Sequence, residues 1–167
     1  MAKLTTCIAE MRDKGHVALN RKDIEDIVPH RGSALLADSI FRFEDRMYGT
    51  WLPEMARFEG HFYRQPVLPA HYLMESGAIL GLCAAVRHFR GDDSNEYIYK
   101  KAEVFASTMS VQMKKPVMPG KEVFFAFEDF GEPKHIRGLI FFIGKISAWV
   151  DGELVGIIEV SGTVKFV

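Results

Sequence analysis

The sequence has little cysteine, no long apolar run, no excess of either charge and no Gly/Ser- or Pro-rich linker. Each shortage narrows what the chain can be. Cys7 and Cys83 provide neither a disulfide framework nor a zinc spacing, so the fold must rest on its core, and a reducing, cytoplasmic setting is expected. The longest apolar stretch, Gly77 to Val86, falls short of the ~20 residues needed to cross a bilayer. The opening segment, MAKLTTCIAEMRDKGHVALN, lacks the apolar centre of a secretory signal. A soluble protein without membrane association is therefore expected. The 21 basic and 22 acidic residues are scattered, leaving no electrostatic footprint for a nucleic-acid backbone, so nucleic acid is not an expected partner. With no repeat and no linker, the 167 residues read as one domain, 1–167, of which 1–20 form a flexible or peripheral N-terminal segment.

What is present changes texture along the chain. Asn20 can cap a short helix over Arg21 to Ile27, where Ile24 and Ile27 share a face before Pro29 and Gly32 break the pattern. Ser39 to Leu52 alternates in part, with Phe41 and Phe43 on one side and Arg42 on the other, as a half-buried strand does. From Pro69, AHYLMESGAILGLCAAVRHF runs for about five helical turns of strong helix formers. Apolar residues cover nearly every side of it, so it should be enclosed, and Gly77 and Gly81, one turn apart, would allow close backbone approach. Turn chemistry at Gly91 to Asn95 ends the helix. Beyond Tyr97 come four segments rich in aromatic and β-branched residues, with Asp151-Gly152 as a tight turn between the last two and a loop at Gly131 to His135 joining the preceding pair. One long buried helix and a meander of long strands predict an α+β architecture in which an antiparallel β-sheet wraps the helix.

The segment FEGHFYRQPVLPAHYLMES carries the chemistry. It places His61 in a loop and Glu75 inside an otherwise apolar helix. A carboxylate in apolar surroundings is costly to keep charged, so Glu75 should either find a partner or stay partly protonated and serve as a general acid. An imidazole titrates near neutrality, which suits His61 to the role of base. Taken singly, a His beside a Phe is usually a satisfied structural residue, and a Glu on an apolar helix usually sits where the helix meets solvent. Spacing does not decide between these readings. His71 lies one turn before Glu75 and His61 could join them around a metal, but the simpler reading needs no metal and no cofactor.

Three ordered segments resemble a known family. HRGSALLAD at His30 to Asp38 looks like the "PHR…LLVD" opening of FabZ-type 3-hydroxyacyl-[acyl-carrier-protein] dehydratases, GHFYRQPVLPAHYLMES resembles their "GHFPG.PVMPG…EA", and KKPVMPGKEV at Lys114 to Val123 is similar to "RRPVVPGD". The resemblance extends from His30 to the C-terminus. It implies a hot-dog fold, a homodimer that in this family often assembles into a trimer of dimers, and an active site between subunits, with His61 from one chain and Glu75 from the other. His61 would take the α-proton of a 3-hydroxyacyl thioester and Glu75 would protonate the departing hydroxyl, giving a trans-2-enoyl product without a cofactor. The backbone N–H of Ala70 would face the enolate oxygen at a helix N-terminus, with Gly60 and Phe62 beside it in the substrate- and oxyanion-binding set. The partner implied is an acyl carrier protein, docked on a basic rim near Arg57, Arg64, Lys114 or Lys115. His30 is expected to be structural.

The sequence also departs from the family pattern. Tyr63-Arg64 replaces Pro-Gly after GHF, Ala70 replaces a glycine, and Ile79 stands where many members have glutamine. Glu rather than Asp at position 75 favours the FabZ side of the superfamily over the FabA side. A hot-dog acyl thioesterase and a non-catalytic acyl-binding protein are the alternatives.

Overall fold

The computed structural model describes residues 16–43, 46–62, 64–90 and 102–166. Cys7, Tyr63, the turn expected at Gly91 to Asn95 and the strand residues expected from Tyr97 to Lys101 lie outside the described residues. In chain order the elements are β1 (His16–Leu19), α1 (Arg21–Ile27), β2 (Ser39–Phe43), β3 (Arg46–Trp51), α2 (Ala70–Arg90), β4 (Ala102–Met113), β5 (Val123–Asp129), β6 (Lys134–Ile136), β7 (Leu139–Val150) and β8 (Glu153–Phe166), with single 3₁₀ turns at Gly32–Ala34 and Met55–Phe58. The strands form one antiparallel sheet in the order β1-β2-β3-β5-β7-β8-β4, and β6 is added against the start of β7.

α1 is capped as its sequence predicts. The Asn20 side chain accepts from the Lys22 and Asp23 amides, and Asp23 reciprocates by accepting from the Asn20 amide over 2.9 Å. Ile24 and Ile27 are buried.

The sheet differs from expectation in three places. The segment Ser39 to Leu52 is two strands, because Phe43 pairs with Arg46 and Phe41 with Tyr48. Residues paired directly across a hairpin share a face, so Phe41 and Tyr48, an odd number of positions apart, lie on one side of the sheet and the alternation changes phase between the two strands, a break that the single-strand reading passed over. His16–Leu19, at the end of the segment expected to be flexible or peripheral, is an ordered edge strand paired with β2. The loop expected at Gly131 to His135 contains part of β6, and the tight turn lies at Arg137-Gly138, whose φ angles of 50° and 80° suit a two-residue hairpin. Asp151-Gly152 turns as expected, with φ angles of 51° and 80°.

α2 runs for 21 residues against the inner face of the sheet. Leu73, Ile79, Leu80, Cys83 and Val86 are buried to 2% exposure or less, and each of the larger aliphatic side chains contributes about 1.5–3 kcal/mol by leaving water. A methyl group on Gly77 would lie 2.9 Å from Ile158 Cδ1, and one on Gly81 would lie 2.9 Å from Ile146 Cδ1. The two glycines therefore let the helix approach β7 and β8, as their spacing suggested. Among the described residues no helix is long and apolar enough to cross a membrane.

Candidate functional site

The loop between β3 and α2 is shaped by its turn residues. Phe58, in the 3₁₀ turn, is buried and anchors the loop, while Gly60 (φ 76°) and Phe62 (φ 63°) reverse the chain on either side of His61. The left-handed conformation at Phe62 costs about 1–2 kcal/mol for a residue with a Cβ, and its ring, 65% exposed, lies edge-on to the His61 ring at 4.6 Å. His61 is half-buried, with Nδ1 3.0 Å from the Val67 carbonyl oxygen. A carbonyl can only accept, so Nδ1 carries the proton and Nε2 presents a lone pair. The next residue, Leu68, donates its amide to the Val117 carbonyl over 2.9 Å, and both side chains are buried. The KKPVMPG segment thus braces the loop that carries His61.

Glu75 projects from the second turn of α2. Its neighbour Ser76 is fully buried and donates its hydroxyl to the Leu36 carbonyl over 2.6 Å, tying the segment after α1 to this turn of the helix. That segment is held again from outside, where the Arg21 guanidinium donates to the carbonyls of Gly32, Leu35 and Ala37. The carboxyl side chain is 40% exposed rather than enclosed, and the nearest basic group is His30, with Nε2 3.7 Å from Glu75 Oε1. Both line a cavity of about 300 Å³ between α2 and β4, whose walls are largely apolar and include Met74, Ile79, Leu82 and Met109. His71 also lines it.

The sequence-predicted residues therefore divide into two groups within one protomer. His61, Gly60 and Phe62 share the loop, and Ala70 begins α2. The amides of a first helical turn have no acceptor within the helix, so the Ala70 N–H stands at the positive end of a long dipole. Glu75 lines the α2–β4 cavity, and His61 is not among that cavity's walls. Sequence reading missed the His30–Glu75 proximity. Its one trace in sequence was the position of His30 inside the first motif.

Of the four cations expected on the rim, two are engaged. The Arg57 guanidinium stacks 5.0 Å from the Tyr72 ring centre and donates to the Ser33 carbonyl, while Lys115 pairs with Glu153 at 2.8 Å. Arg64 and Lys114 are exposed. Among the described residues no group of three or more His, Cys, Asp or Glu side chains is placed to hold a metal ion.

Comparison with known proteins gives the family and the fold. Residues 52–159 match the FabA-like domain family. The chain is 32% identical over 141 residues to the 3-hydroxyacyl-[acyl-carrier-protein] dehydratase FabZ of Aliivibrio fischeri, covering 82% of this chain and 87% of that protein. It is 33% identical over 141 residues to the FabZ of Actinobacillus pleuropneumoniae, covering 80% and 82%. Among solved structures, a Thermus thermophilus protein of the thioesterase superfamily aligns with a TM-score of 0.53 at 12% identity, over 71% of this chain and 80% of that one. A Pseudomonas aeruginosa thioesterase aligns with a TM-score of 0.52 at 12% identity, over 77% and 81%. At these identities the structural likeness is one of fold, the hot-dog fold.

Proposed function

This chain belongs to the FabA-like family, and from that premise we propose that it is a 3-hydroxyacyl-[acyl-carrier-protein] dehydratase of the FabZ kind, forming trans-2-enoyl thioesters. The observation that carries the reading is the His61 contact with Val67, which holds Nδ1 and leaves Nε2 as a base. In the proposed reaction Nε2 takes the C2 proton, the C3–O bond breaks, and the hydroxyl leaves as water with a proton from Glu75. A C2–C3 double bond forms, and proton exchange with solvent restores both side chains. The Ala70 N–H, at the end of the α2 dipole, stabilises the enolate oxygen that develops on the thioester. The apolar cavity beside Glu75 receives the acyl chain.

The two proton-transfer groups come from different subunits. β4 pairs with β8 alone among the described residues, it ends the sheet, and Phe105 (64%) and Met109 (42%) are exposed on it. A 12-residue edge strand with apolar side chains is a ready surface for a second copy of the chain. Pairing along that edge covers the α2–β4 cavity and brings a second loop with its own His61 to the mouth beside Glu75. Acyl carrier protein docks at the exposed rim cations Arg64 and Lys114.

The test supplies 3-hydroxybutyryl thioester, on pantetheine and on acyl carrier protein, to the purified protein and follows both enoyl formation and thiol release. Enoyl product that disappears in His61→Ala and in Glu75→Gln is expected. Free thiol without enoyl product indicates a thioesterase, and neither product from a correctly assembled protein indicates an acyl-binding role; either outcome removes the dehydratase reading.

A further inference from the structure

The cavity beside α2 contains an imidazole that the proposed reaction does not use. His30 faces Glu75 with Nε2 3.7 Å from Oε1, and its other ring nitrogen, Nδ1, is buried and finds no hydrogen-bond partner among the described residues. We propose that His30 is a positioning residue for Glu75, directing its Nε2–H at Oε1 so that Oε2 is the oxygen that carries the transferable proton.

The ring's tautomer follows from its surroundings. A neutral imidazole has one N–H. If the proton were on Nδ1, a buried donor would be left unsatisfied and the Nε2 lone pair would face the lone pairs of the carboxyl group. On Nε2, the same proton faces an acceptor, and only a lone pair is left without a partner at Nδ1. The Nε2–H form is therefore the one this pocket stabilises.

The position of the ring is equally constrained. Pro29 precedes it, and Arg31 folds back so that Nη1 donates to the carbonyls of Val28 and His30 over 2.6 and 2.7 Å. Further along, the Ser76–Leu36 bond clamps the same segment to the helical turn that bears Glu75. Imidazole and carboxyl group are thus mounted on two pieces of backbone joined to each other within one residue of Glu75. At 3.7 Å the pair is longer than a hydrogen bond. The proposal requires the pair to shorten when substrate arrives, as catalytic contacts do between free and loaded enzymes.

A carboxylic acid that gives a proton must present the correct oxygen. Two equivalent oxygens and free rotation would leave the acid wrongly turned for part of the time, and a donor fixed on one of them removes that loss. The inference rests on the reading of Glu75 as the proton donor, but it also makes a statement about ground-state structure that needs no turnover.

The test has two arms on the assembled protein. Long-range proton–nitrogen NMR of the imidazoles is expected to show His30 in the Nε2–H form, with its Nε2 signal displaced in Glu75→Gln. In the kinetic arm, His30→Ala is expected to lower kcat for 3-hydroxybutyryl-pantetheine by about 10- to 100-fold with KM within about threefold. His30→Gln, whose amide offers an N–H near the same place, should return kcat to within about fivefold of wild type. An Nδ1–H ring, or a His30 signal indifferent to Glu75→Gln, overturns the proposal whether or not the protein dehydrates anything. So does a kcat in His30→Ala within about twofold of wild type, or an equal loss in the Ala and Gln variants with unchanged solution mass. If wild type forms no enoyl product, the dehydratase reading fails and the spectrum still decides the role of His30. If His30→Ala does not fold, the Gln variant and the spectrum decide it.

Discussion

Ser76 donates its buried hydroxyl to the carbonyl oxygen of Leu36, 40 positions away, over 2.6 Å. The bond joins the first and second family-like motifs at one point, and it sets where Glu75 stands relative to the segment that carries His30. Its removal leaves a buried carbonyl without a donor. Ser76→Ala is therefore expected to cost about 1–3 kcal/mol, read from urea denaturation midpoints. Stability unchanged to within a few tenths of a kcal/mol would show that the clamp contributes nothing.

A site shared between subunits makes a prediction that a site within one chain does not. His61→Ala and Glu75→Gln are each expected to be inactive, while the two chains co-expressed should regain about a quarter of wild-type activity, since half the dimers are mixed and each of those has one intact site. No recovery in verified mixed dimers would place both groups in the same protomer.

Gly162 lies where β8 meets β4, and a methyl group there would sit 2.5 Å from the Phe105 carbonyl oxygen. A backbone atom cannot swing aside as a side chain can. Gly162→Ala is expected to destabilise the protein by about 3 kcal/mol and to loosen the β4 edge, raising amide exchange in β4 ahead of β5. Exchange that rises equally in both strands would contradict a local effect.

Burial pushes the Cys83 thiol far above its ordinary range. In the unfolded chain the thiol ionises at about 8.5, whereas in the folded chain it keeps its proton, so above that pH the folded state binds more protons and stability falls. The contribution is fully present below the unfolded value and declines by about 1.4 kcal/mol per pH unit above it, until the folded thiol itself ionises. Between about pH 8 and about pH 10, wild type should therefore lose ~2 kcal/mol more than Cys83→Ala. Equal losses in the two proteins would mean that the thiol is not shielded from water.

Much of this molecule was legible from local pattern. The cap at Asn20, the helix beginning after Pro69, the close-approach glycines Gly77 and Gly81 and the Asp151-Gly152 turn each depend on residues near one another in the chain, where spacing and propensity act directly. The hairpin inside Ser39 to Leu52 was passed over, because aromatic residues occur on both sides of the reversal and the only local mark of it is a one-residue change of phase that puts Phe41 and Tyr48 on the same face. Nor was the turn at Arg137-Gly138, where an arginine takes the left-handed conformation that composition assigns to glycine or asparagine.

The candidate site divides along the same line. Residue order was enough to mark the groups suited to acid–base chemistry, since a histidine in a turn-rich loop and a carboxylate on an apolar helix are conspicuous wherever they fold. Their neighbours came from the folding of the chain: Val67 behind His61, His30 before Glu75, Val117 beneath the connecting loop. The His30–Glu75 and Leu68–Val117 contacts join segments far apart in the chain, and the His61–Val67 contact is local but depends on where a backbone carbonyl points. No periodicity in the sequence records a backbone oxygen's direction, so the fold had to be in place before the site's geometry existed.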